Sequence, residues 1–104
     1  MDNVEKLVEI FKALSDPTRL RLVKLLNECK PGVCEGGPLC VNALAQQLGV
    51  TQSAVSQHLR ILRQAGLVTG DRRGSFMHYS LDPAGLEKYR EALRETLGED
   101  FIAG

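Results

Sequence analysis

The chain contains no tryptophan, and aromatic residues make up only 5% of its 104 positions. A core built at this size without large aromatic anchors is small, so burial against a partner becomes useful. No apolar run is long enough to span a bilayer, and there is no signal peptide, low-complexity tract or internal repeat. These absences predict one cytoplasmic domain over residues 1–104 with no membrane contact. Catalytic equipment is missing as well. No nucleophile, base and orienting residue stand together, and no glycine-rich phosphate loop is present, so an enzyme is not expected. Net charge is also absent: 13 basic and 13 acidic residues cancel, which over a whole chain would argue against a polyanionic partner.

The cancellation is not local. Residues 36–70 contain no acidic side chain at all. Residues 1–35 carry 6 basic and 6 acidic residues, residues 36–81 carry 4 and 1, and residues 82–104 carry 3 and 6, so the net charges are 0, +3 and −3. The middle segment is the one suited to a polyanion, and its modest excess predicts affinity gained by pairing two copies.

Within that segment, residues 41–64 read VNALAQQLGVTQSAVSQHLRILRQ. Val41, Leu44, Ala45 and Leu48 form one apolar stripe at helical spacing, and Val55, Leu59 and Leu62 form a second. Gly49 between them can leave a helix with positive φ, and Thr51 suits the N-cap of the second helix. The small Ala45 lets the helices approach, and Val55 fills the angle between them. This pattern predicts a helix-turn-helix. With its apolar stripe turned inward, the second helix would present Gln52, Ser53, Ser56, Gln57 and Arg60 outward; with Thr51 at its start and His58 beside its apolar stripe, these are the candidate DNA-binding residues of the helix. Glutamine matches the edge of adenine, arginine that of guanine, and serine either a base edge or a phosphate. A recognition helix for double-stranded DNA is expected.

Residues 67–81, LVTGDRRGSFMHYSL, change from helical to alternating period. Val68, Phe76 and Tyr79 favour strands, and RRGS with Gly74 is a turn signal, so a β-hairpin follows the recognition helix directly. Arg72 and Arg73 at its tip would reach phosphates or a minor groove, as the wing of a winged helix-turn-helix does.

The flanks predict helices with apolar stripes. Val4, Leu7, Val8, Phe11 and Leu14 lie at 3.6-residue spacing, and Asp16 with Pro17 opens a second helix that buries Leu22, Leu25 and Leu26. Asp82 and Pro83 repeat that start for a last helix lined by Leu86, Tyr89, Leu93 and Leu97. Two striped terminal helices on so short a chain favour pairing across a two-fold axis. Two recognition helices about 34 Å apart would then meet successive major grooves of an inverted repeat.

Taken together, FKALSDPTRLRLVKLL, LCVNALAQQLGVTQSAVSQHLRILRQAGLV and RRGSFMHYSL resemble the ArsR/SmtB family of bacterial winged-helix repressors, over about residues 4–97. The resemblance implies a mainly α homodimer with a β-hairpin wing, in the order αααα-ββ-α. It implies a repressor that holds operator DNA, needs no cofactor to do so, and leaves when an inducer binds.

The inducer reading rests on Cys29, Cys34 and Cys40, spaced C-x4-C-x5-C among Lys30, Pro31, Gly32, Gly36, Gly37 and Pro38. Three thiolates without a fourth ligand match trigonal-pyramidal arsenite or antimonite better than tetrahedral zinc, with cadmium, lead or mercury as alternatives. Cys40 would gain thiolate character at a helix N-terminus. Arsenite sensors of the family carry an LCVCDL-type stretch. This chain has LCVNAL, with Asn42 where a second cysteine would stand, so Cys34 or Cys29 would replace it. Other members build metal sites from Asp and His on the last helix; residues 83–97 contain no His, which argues against that arrangement. His58 and His78 read as hydrogen-bonding side chains rather than ligands. Disulfide or persulfide sensing, a constitutive regulator with inert cysteines, and a cysteine-ligated iron–sulfur or redox protein stay open as alternatives.

Overall fold

The computed structural model describes residues 2–28 and 40–100, the side chains of Arg73 and Phe76 excepted. The order is α1 (Asn3–Leu14), α2 (Pro17–Glu28), α3 (Val41–Leu48), α4 (Gln52–Gln64), β1 (Val68–Arg73), β2 (Phe76–Leu81) and α5 (Pro83–Leu97). The αααα-ββ-α order is therefore the one expected. Among the described residues no helix is long and apolar enough to cross a membrane.

Helices α1, α2, α4 and α5 start where a short polar side chain satisfies exposed N–H groups of the first turn. The Asp2 carboxylate accepts from the Glu5 N–H at 2.8 Å. Asp16 accepts from Thr18 and Arg19 at 2.8 and 3.1 Å, ahead of a helix whose first residue, Pro17, has no N–H to satisfy. Thr51 Oγ1 accepts from Ala54 at 3.1 Å, and Asp82 accepts from Ala84 and Gly85 at 3.1 and 3.3 Å. Gly49, at φ 67° and ψ 32°, ends α3 in the left-handed region that costs a side-chain-bearing residue about 1 kcal/mol.

The core collects Leu22 and Leu26 from α2, Leu44 and Ala45 from α3, Val55, Leu59 and Leu62 from α4, and Leu67 and Val68 at the root of the hairpin. Ala45 and Val55, expected in the angle of α3 and α4, are both buried members of this cluster. Leu25 lies half-buried at the edge of this cluster rather than inside it.

The hairpin pairs antiparallel from Val68↔Leu81 to Arg73↔Phe76, which leaves Gly74 and Ser75 as its two-residue loop. Gly74 has φ 63° and Ser75 is not among the positive-φ residues, the pattern of a type II′ turn that follows the natural twist of the strands. Its base is closed by the Asp82 N–H donating to Leu67 O at 2.9 Å.

The terminal helices depart from a simple stripe. In α1 the buried residues are Leu7, Ile10 and Ala13, whereas Val4, Val8 and Phe11 are 58, 45 and 51% exposed. In α5 the buried positions are the small Gly85 and Ala92, with Leu86, Tyr89 and Leu93 partly buried and Leu97 exposed. The small residues go inside because α5 approaches the end of α4 closely. A Cβ on Gly85 would fall 1.7 Å from the Gly66 carbonyl oxygen, so no side chain fits there. The Tyr89 hydroxyl donates to Ala65 O across the same joint. Burial, and after it the charge of Glu9, raises the Tyr89 pKa above 10.0, which keeps the phenol a donor.

Candidate nucleic-acid interface

The α3–turn–α4 unit fixes one face of α4 against the core and frees the other. Val55, Leu59 and Leu62 are buried, while Gln52, Ser53, Ser56, Gln57 and Arg60 are exposed. Three- and four-residue spacing sets Gln52, Ser56 and Arg60 in one row, with Ser53 and Gln57 beside it. Thr51 is also exposed, but its hydroxyl oxygen is engaged as the N-cap, so it holds the start of α4 in place. The chemistry displayed is amide, hydroxyl and guanidinium, a set that can donate to and accept from base edges and donate to phosphate.

The wing stands immediately beyond. Arg72 is exposed on β1, near the tip. Arg73 forms the last strand pair with Phe76; its side chain lies outside the described residues. Arg63, in the last turn of α4, is exposed, and its guanidinium carbon lies 3.6 Å from where a Cβ on Gly70 would stand. Sequence reasoning counted Arg63 as charge without placing it; the structure sets it between helix and wing.

His58 faces away from this row. Half-buried, its Nδ1 lies 3.3 Å from Arg19 Nη1 of α2. A guanidinium can only donate, so this contact requires an unprotonated Nδ1 and leaves the ring proton on Nε2. Arg19 also donates through Nε to Ala13 O at 2.6 Å and through Nη2 to Lys12 O at 3.4 Å. One side chain thus ties the last turn of α1 to the recognition helix. Beside it, the Asp16 carboxyl is held below its ordinary 3.8, first by the Arg19 N–H, then by the Thr18 N–H and the Arg19 charge, with partial desolvation opposing.

A second cross-helix contact went unforeseen. Gln52 Nε2 donates to Asn42 Oδ1 at 3.1 Å, linking the first turns of α3 and α4. Neither bond of this kind leaves a periodic signal in a sequence, because the partners are 39 and 10 residues apart. His78 sits on β2 opposite Asp71, with a buried Nδ1 that has no hydrogen-bond partner among the described residues.

Of the three cysteines, Cys40 is described: it is half-buried, stands at the N-cap of α3 in extended conformation, and makes no side-chain cap hydrogen bond. Its thiol is therefore not committed to holding the helix. Cys29 and Cys34 lie outside the described residues, and among the described residues no group of three metal-ligating side chains occurs.

Comparison with known proteins bears on this geometry. The family model described as bacterial regulatory protein, arsR family, matches residues 16–69. The arsenical resistance operon repressor of Escherichia coli is 40% identical over 76 residues, 73% of this chain and 59% of that one. A crystal structure of a "possible transcriptional regulator for arsenical resistance" superimposes with TM-score 0.67 at 38% identity, covering 89% of this chain and 88% of that one. The homodimeric winged helix-turn-helix DNA-binding domain Mb0332 from Mycobacterium bovis, in solution, gives TM-score 0.66 at 25% identity, covering 97% and 84%.

Proposed function

Because this chain belongs to the arsR family of bacterial regulatory proteins, whose members are transcriptional regulators and not enzymes, we propose that it is a homodimeric cytoplasmic repressor that reads an inverted-repeat operator. The observation that carries the reading is the exposed row of Gln52, Ser53, Ser56, Gln57 and Arg60, within a stretch (residues 36–70) that has no acidic side chain, followed by the wing with its exposed Arg72. Thr51 positions the start of that helix, His58 braces it from behind, and Arg73 adds charge at the wing tip. Dimerisation runs through α1 and α5, which pack on each other and expose Val4, Val8, Phe11 and Leu97. The homodimeric state of the Mycobacterium bovis domain supports pairing of two copies.

The inducer we assign is arsenite or another soft ion, taken by Cys40 with Cys29 and Cys34. Three thiolates supply the soft, three-coordinate set such an ion prefers. The thiol of Cys40, which makes no cap hydrogen bond, fits that role, and the similarity to the arsenical resistance operon repressor of Escherichia coli agrees with it. Cys40 is one residue before α3, so drawing it toward other thiolates would move α3, and α4 with it, relative to the dimer axis. Inducer and DNA then weaken each other reciprocally. The test is an anisotropy titration of a duplex from the upstream region with arsenite, cadmium, zinc and a persulfide donor. Arsenite or cadmium should release the duplex from the wild type and leave Cys40→Ser bound with unchanged affinity. Release of Cys40→Ser by the same agents contradicts the assignment, and release by the persulfide donor alone moves it to thiol redox chemistry.

A further inference from the structure

The bond between Gln52 and Asn42 joins two exposed side chains. Both groups can hydrogen-bond to water when apart, so the bond satisfies no buried polar atom and adds little to stability. Its consequence is orientation. Gln52 is the first residue of α4, and the first residues of a recognition helix are those that reach base edges. A glutamine there, left alone, rotates about three side-chain bonds. Bonded to Asn42 of α3, its carboxamide is biased toward one orientation.

We infer that Asn42 is a positioning residue that makes Gln52 a reader of adenine. The carboxamide of Gln52 has two N–H donors and one oxygen acceptor. Asn42 Oδ1 takes one N–H at 3.1 Å, which leaves one donor and one acceptor. Adenine shows the complementary pair in the major groove, N7 as acceptor and the N6 amino group as donor. Guanine, with two acceptors there, matches one donor only. The inference rests on the DNA-binding reading above and adds to it a base and a residue that does not touch DNA. It also gives Asn42 a role at the position where the LCVCDL-type pattern has its second cysteine.

The test is selection of duplexes from a randomised library by the full chain, with wild type, Gln52→Ala, Asn42→Ala and Asn42→Asp sequenced in parallel. Wild type should enrich a motif containing an adenine whose preference Gln52→Ala abolishes. A bidentate contact of this kind discriminates by roughly 5- to 150-fold. Asn42→Ala should lose most of that preference at that one position and keep the rest of the motif. Asn42→Asp retains the acceptor oxygen and should keep the adenine, with affinity lowered evenly across all sequences by its charge. Unchanged adenine preference in Asn42→Ala overturns the inference, as does its loss in Asn42→Asp or an equal loss at every position. Should Gln52→Ala leave the motif unchanged, Gln52 reads no base and the inference fails with DNA binding intact. If wild type enriches no sequence, the DNA reading itself falls.

Discussion

The outward face of α4 and the outward face of α1 are both left uncovered, yet they are opposite in kind. On α4 stand amides, hydroxyls and guanidinium groups; on α1, at positions 4, 8 and 11, stand two valines and a phenylalanine about half exposed to water. The segments differ in charge too, +3 over residues 36–81 and −3 over residues 82–104, where α5 lies against α1. A polar, positive surface suits a hydrated polyanion, and three large apolar side chains on one helix face suit another apolar surface. One fold thus carries a face for DNA and a face for a second copy, and the contrast predicts that damage to each should look different.

The largest effect should come from charging the apolar face. Val8→Asp combined with Phe11→Asp places two carboxylates where a partner helix would pack, and these exposed positions leave the monomer core intact. Sedimentation should show a folded monomer, and affinity for a two-half-site duplex should fall ~100-fold or more, since the second contact is no longer tethered to the first. A dimer of unchanged affinity would show that this face is not the interface.

Gly85→Ala attacks the joint between the two regions. The added Cβ meets the Gly66 carbonyl, and backbone there cannot give way cheaply, so urea unfolding should register a loss on the order of 3 kcal/mol. A loss below about 1 kcal/mol would mean that α5 relaxes away from the hairpin without harm.

On the polar face, Arg72→Ala with Arg73→Ala should weaken binding to all duplexes alike and lower the slope of log affinity against log salt by about 3.6, one phosphate contact for each of the dimer's four arginines. An unchanged slope would take the wing away from the phosphates. The smallest effect concerns Asp16. Its pKa is lowered on folding, so its contribution to stability is present above the ordinary value of 3.8 and is lost as pH falls through the lower folded value. Asp16→Asn should therefore be less stable than wild type at about pH 7, and the gap should narrow as pH falls below 3.8, read as urea midpoints. A gap independent of pH would remove the carboxylate from the account.

Much of this contrast can be read from residue spacing, and part of it cannot. Ala45, Gly49 and Val55 mark the helix-turn-helix because each answers a local need: close approach, a left-handed turn, a filled angle. Gly74 marks the hairpin for the same reason. The α1 stripe is different. Five apolar residues at helical spacing do not say which of them face the chain's own core, and here Leu7 turns in with Ile10 and Ala13 while Val4, Val8 and Phe11 turn out. The inner face of α5 escaped notice because Gly85 and Ala92 are small, and their burial follows from where α4 ends. The Arg19–His58 and Asn42–Gln52 bonds likewise exist only once separate helices have met.

The central claim is that two copies present two α4 rows to one duplex. Hydroxyl-radical and base-modification footprinting on a selected duplex tests it directly. Two protected major-groove patches related by inverted repeat and centred about 10 base pairs apart, one per α4, are expected. A single protected patch, or protection confined to the minor groove, would contradict it.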